Sequence, residues 1–73
     1  MEIENNGKYY HINRLQTESL SALNERMSVF KDLLNNGYNY NDSLKYSELF
    51  FYSKYLNCRY TEKIDKIISK YIE

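Results

Sequence analysis

The sequence predicts a mainly helical α+β domain: an N-terminal β-hairpin followed by a three-helix bundle, in the order ββααα. Three features lead to this reading. The opening stretch "MEIENNGKYYHI" sets an Asn-Gly pair between two alternating runs, the rest of the chain repeats apolar residues at spacings of three and four, and turn-prone or capping residues separate those repeats.

The hairpin is expected over residues 1–12. Asn6-Gly7 suits a two-residue type I′ turn because both central positions need φ > 0, which these residues tolerate best. The turn then pairs Asn5 with Lys8, Glu4 with Tyr9, Ile3 with Tyr10, Glu2 with His11 and Met1 with Ile12. Opposed residues share a face, so Met1, Ile3, Tyr10 and Ile12 gather on one side and Glu2, Glu4, Tyr9 and His11 on the other. A one-residue slip would scatter the apolar set. Because a lone two-stranded hairpin is marginal in water, the apolar face must lie on the chain's own helices or on a partner.

The first helix is expected over 14–36, capped by Asn13, with Gln16 three residues on, or by Thr17. Leu20, Leu23, Met27, Phe30 and Leu34 form its apolar stripe, and Leu15, Ala22, Val29 and Leu33 widen it beyond a coiled-coil seam. Asn36-Gly37 ends it, with Gly37 in the left-handed position past the cap. The second helix is expected over 43–57, capped by Asp42 or Ser43. It carries a core stripe of Tyr46, Leu49, Phe50 and Leu56, and a second stripe of Leu44, Phe51, Tyr55 and Cys58. So much apolar surface places it centrally between helix 1, helix 3 and the hairpin, or else directs one stripe at another molecule. The third helix is expected over 61–72, with Thr61 as cap, Ile64, Ile67, Ile68, Tyr71 and Ile72 inward, and Lys63, Lys66 and Lys70 on the solvated side.

Seventy-three residues make one domain, near the size at which a single core is barely sufficient. With 42% hydrophobic and 27% charged residues and no proline, the composition is that of a globular chain. Ten basic and ten acidic side chains cancel, so no strong field selects nucleic acid or membrane. One cysteine and one histidine rule out an internal disulfide and a Cys/His zinc cluster, and neither a metal nor a cofactor is expected. No apolar run is long enough for a membrane span, and the early glutamates do not suit a signal peptide, so a cytoplasmic location, or a phage particle within a bacterial host, is expected. Abundant Asn, Lys, Tyr and Ile, all written with A/T-rich codons, suggest a low-G+C bacterium or its phage as the source.

Motifs for catalysis are absent. Cys58 beside Arg59 could carry a lowered thiol pKa, but no spacing brings His11 to it as a base, and Cys58 reads better as a small core residue. Both glycines fall in turns, which excludes a phosphate-cradling loop. "SKYLN", residues 53–57, resembles the Ser-x-x-Leu-Asp signature of the small aspartyl-phosphate phosphatases that regulate sporulation. Asn57 stands where that family has its aspartate, and aligning Ser47 on the serine instead puts Phe51 there, so the functional carboxylate is missing either way. Helix 2, the "NCRY" turn and helix 3 (residues 44–72) also resemble a helix-turn-helix, with Arg59, Lys63, Lys66 and Lys70 placed to reach DNA. The third helix has no Asn or Gln for reading adenine, and its lysines suit phosphate contact.

Tyrosine is the compositional anomaly: nine, against three phenylalanines and no tryptophan. Its apolar ring and hydrogen-bonding tip favour half-buried contact surfaces. Tyr38 and Tyr40 in the polar "GYNYND" segment, with Phe51 and Tyr55 on the second stripe of helix 2, are therefore the candidate partner interface, together with the hairpin's unpaired edge. The expected function is a non-enzymatic protein–protein interaction module, an assembly or regulatory component acting as a homo-oligomer or on a larger protein. The alternative is a helix-turn-helix DNA-binding protein.

Overall fold

A computed structural model describes residues 2–56 and 66–71. Two antiparallel strands, β1 (Glu2–Asn5) and β2 (Lys8–His11), are followed by two sixteen-residue helices, α1 (Leu20–Asn35) and α2 (Tyr40–Tyr55). Residues 66–71 form a short helical segment that ends in a 3-10 turn, Ser69–Tyr71. The fold is thus mainly helical α+β with a short third helix. The start of the expected third helix, Thr61, Lys63 and Ile64, lies outside the described residues, as do Cys58 and Arg59.

The hairpin has the register the turn dictates: Glu2 faces His11, Ile3 faces Tyr10, Glu4 faces Tyr9 and Asn5 faces Lys8. Asn6 and Gly7 both have positive φ, 55° and 81°. The Glu4 carboxylate accepts the Gly7 N–H at 2.7 Å, and the Asn5 and Asn6 side-chain amides both donate to Asn35 Oδ1 at 3.1 Å, fastening the turn to the end of α1. A Cβ at Gly7 would meet no neighbouring atom, so Gly7→Val is opposed by backbone conformation alone. The expected loss is about 1–2 kcal/mol, seen as a lower urea midpoint; unchanged stability would contradict the type I′ assignment.

Ile3 and Ile12 on the hairpin's inner face are buried with Leu23 and Phe30 of α1, flanked by Tyr10, Met27, Leu34 and Leu44. A second cluster joins Val29 and Leu33 of α1 to Phe50 of α2 and Ile68, with Tyr38, Tyr46, Leu49, Ile67 and Tyr71 around it. Helix α2 contributes to both clusters, as its two apolar stripes predict. Ser43 and Ser47, one turn apart on α2, are wholly buried. Their small side chains let the α2 backbone lie close to its neighbours, and their hydroxyls donate to the carbonyls of Tyr38 and Leu44.

Helix α1 ends as expected. Gly37 has φ 98°, its N–H donates to the Leu34 carbonyl, and the Tyr38 N–H donates to the Leu33 carbonyl, which is the pair of bonds of a Schellman motif. Its start differs from the sequence expectation. Residues 12–19 are not helical, Ser19 is the cap and accepts the Ala22 N–H, and Leu20, expected in the core stripe, is 60% exposed. The cause is a buried ion pair. Arg26 Nε donates to Glu18 Oε2 at 2.6 Å and Nη2 to Oε1 at 3.2 Å, with both side chains inaccessible to solvent. Had the helix begun at residue 14, the eight-residue separation would place Glu18 about 12 Å along the axis from Arg26, out of reach. Leaving the helix lets Glu18 fold back onto Arg26.

Helix α2 begins three residues earlier than expected, because Asn39 rather than Asp42 or Ser43 is the cap, its side chain accepting the Asp42 N–H at 2.7 Å. It ends at Tyr55, so Leu56, expected in the core stripe, is exposed at its C-cap. No helix among the described residues is long and apolar enough to cross a membrane.

Candidate functional site

The early start of α2 makes Tyr40 its first residue and brings it against the hairpin. Its ring stacks on Tyr10 at 5.9 Å between centroids, 10° from parallel, and both rings meet Phe30 edge-on. The Tyr40 hydroxyl donates to the His11 carbonyl at 3.0 Å, which ties the N-terminus of α2 to the far end of β2. Tyr38 packs edge-on against Tyr46 at 5.6 Å.

Between these parts lies an open cleft of about 480 Å³, lined by Asn5, Asn6, Lys8 and Tyr10 of the hairpin, Leu34 of α1, and Tyr38, Asn39 and Tyr40 at the start of α2. Its origin can be read from the register. The hairpin's inner face is apolar at Ile3, Tyr10 and Ile12, but its last pair, Asn5 and Lys8, is polar and does not close onto the junction of the helices. Three amide side chains, three phenol rings and one ammonium group therefore surround a concave surface. Such a lining can exchange hydrogen bonds with peptide groups while rings cover apolar side chains.

The four interface residues expected from sequence divide between two places. Tyr38 and Tyr40 meet at this cleft, where Tyr38 is half-buried and Tyr40 is 39% exposed. Phe51 and Tyr55 lie about three and four turns further along α2. There Phe51 is 2% exposed, a core residue enclosed by its own chain, so of that pair only Tyr55, at 42%, reaches the surface. The Phe51 ring packs against Tyr52 and Tyr55. The sequence expectation does not include Tyr10, Asn5, Asn6 or Asn39. Tyr10 does carry a signal, since it is the one aromatic on the hairpin's inner face.

The other polar arrangements join elements together. The Glu25 carboxylate on α1 accepts from Lys54 Nζ at 2.6 Å and from the Tyr55 hydroxyl at 2.9 Å, across to the end of α2. The Lys54 hydrogen bond, followed by that from Tyr55, holds the Glu25 carboxyl below its ordinary pKa, and the bond to Glu25 raises that of Lys54. Desolvation, then the bond to Glu25, pushes the Tyr55 phenol up. The Tyr71 hydroxyl donates to Asp32 Oδ2 at 2.8 Å, and burial, then this bond, raises its pKa strongly. Of the residues named for DNA contact, Lys66 and Lys70 are exposed, and Lys70 Nζ lies 5.0 Å from the centre of the Tyr71 ring. Arg59 and Lys63 lie outside the described residues.

No family model matches this chain, and comparison with curated proteins and with solved structures finds no match to either.

Proposed function

We propose that this chain is a small non-enzymatic protein–protein interaction module, an assembly or regulatory component, and that its partner docks an extended segment in the cleft between the hairpin turn and the start of α2. The observation that supports this is the convergence of Tyr10, Tyr38 and Tyr40 with the amides of Asn5, Asn6 and Asn39 on one open concavity. Main-chain peptide groups need both donors and acceptors, and carboxamides supply both. Phenol rings at the rim give contact area at low cost in side-chain entropy. The perturbed ionisable groups, Glu25, Lys54, Tyr55 and Tyr71, lie outside this cleft and are engaged in bonds between elements, an arrangement that suits cohesion better than acid–base chemistry.

The test is a photo-cross-linking residue placed at Asn6 or Tyr40 and, as a control, at the 75%-exposed Tyr9 on the opposite face of the hairpin, in cells of the native host. The reading predicts that positions 6 and 40 capture the same protein and that position 9 does not. Cross-links confined to position 9, or recovery of nucleic acid alone, would contradict it.

A further inference from the structure

The hairpin presents a second recognition element, separate from the cleft. In an antiparallel pair, residues alternate between those that exchange main-chain hydrogen bonds and those whose N–H and C=O point outward. The Asn6-Gly7 turn makes Asn5 with Lys8, and Ile3 with Tyr10, the bonded pairs. The N–H and C=O groups of Glu2 and Glu4 therefore point away from β2, as do those of Tyr9 and His11 on the other edge. The Tyr40 hydroxyl donates to the His11 carbonyl, so helix α2 stands on the β2 side. The outer side of β1 has no further strand among the described residues and carries two outward-facing residues spaced as an incoming strand requires.

Charge decides what can occupy it. Glu2 and Glu4 are both exposed on the solvent face of β1, where Glu2 Oε2 lies 3.3 Å from His11 Nδ1 across the pair and Glu4 Oε2 accepts the Gly7 N–H, each carboxylate making its contact through one oxygen. A second copy pairing antiparallel through β1 would set Glu2 of each chain opposite Glu4 of the other, two like-charge pairs at cross-strand distance. Self-pairing is disfavoured, whereas a strand with cations at the facing positions is favoured by the same groups. We propose that the outer edge of β1 accepts, as a third strand, an extended segment of a partner protein that carries lysine or arginine at alternate positions. The proposal rests on the interaction reading above, and it assigns the charge pattern of the partner at a different surface.

The probe is the blocked peptide acetyl-Lys-Val-Lys-Val-Lys-amide, with acetyl-Glu-Val-Glu-Val-Glu-amide as control, added to the isotopically labelled full chain. The cationic peptide is expected to shift the amide resonances of Glu2 and Glu4 and to slow their hydrogen exchange by about tenfold or more, with the acidic peptide inert. Glu2→Lys with Glu4→Lys should invert this preference, and the amide resonances of Tyr38, Asn39 and Tyr40 in the cleft should not move with either peptide. The proposal is overturned by absence of protection at Glu2 and Glu4 at millimolar cationic peptide, by protection at Tyr9 and His11 instead, or by binding indifferent to the charge inversion. Shifts centred on Asn6, Tyr38, Asn39 and Tyr40 and insensitive to the charge inversion would place the peptide in the cleft, which overturns the edge proposal while leaving the cleft reading intact.

Discussion

Arg26→Met should lower the stability of the folded chain by about 3–5 kcal/mol, because it leaves the Glu18 carboxylate buried without its partner. For 73 residues the whole stability is about 4–11 kcal/mol, so this one change takes a large part of it. The guanidinium also donates to the Asn13 carbonyl at 2.6 Å, while Glu18 accepts the Leu15 N–H at 3.0 Å and its own carbonyl accepts from Arg14 Nε. The pair thus fixes the entire link between the hairpin and α1. Its satisfaction is incomplete, since Arg26 Nη1 is buried without a hydrogen-bond partner, a further reason to expect little net gain from the pair itself. The penalty belongs to the uncompensated charge. Adding Glu18→Gln to Arg26→Met should therefore restore stability, by about 1–3 kcal/mol, since the neutral amide can still accept from Leu15. Urea denaturation of the three proteins measures this. A single variant within about 1 kcal/mol of the parent, or a double variant weaker than the single, would contradict the ion-pair account.

Phe30→Ala is the other large effect, expected to cost about 3–5 kcal/mol. Phe30 is wholly buried where the hairpin meets the helices, and its ring is the edge partner of both Tyr10 and Tyr40. Its loss empties the space under the stacked tyrosines, so the cleft should lose its wall along with the hairpin's seat. The check is twofold: a lower urea midpoint, and movement of the Tyr10 and Tyr40 ring resonances toward solvent values. A drop under about 1 kcal/mol with the tyrosine resonances unmoved would show that the hairpin does not depend on this ring.

The hairpin was legible because its determinants are local: an Asn-Gly turn and a period of two agree on one register. The C-terminus of α1 was legible for the same reason, since Gly37 alone satisfies the left-handed position. The start of α1 was not, because Asn13, Thr17 and Ser19 all have capping chemistry and the choice among them is made by Glu18 and Arg26. The available signal was Arg26 itself, a charge set between Ala22, Leu23, Val29 and Phe30 in the middle of an apolar stripe. Ser43 and Ser47 escaped the core reading because apolar counting overlooks small polar side chains that bond to backbone carbonyls. At the candidate site, the prominence of Tyr38 and Tyr40 was visible in a polar segment, but their neighbours were not. Asn39 takes the cap and Tyr40 reaches His11 across 29 residues, a contact no local pattern encodes. For Phe51 the sequence leaves core and interface both open, because it does not show which stripe of a central helix is covered; the fold puts it in the core.

The claim that the cleft is the docking surface is tested most directly by titrating the labelled chain with the partner segment recovered by cross-linking and recording which amide resonances move. The account predicts shifts concentrated at Asn5, Asn6, Lys8, Tyr10, Tyr38, Asn39 and Tyr40, with little dependence on salt. Shifts confined to residues 66–71, or found instead with duplex DNA and falling steeply as salt rises, would contradict it.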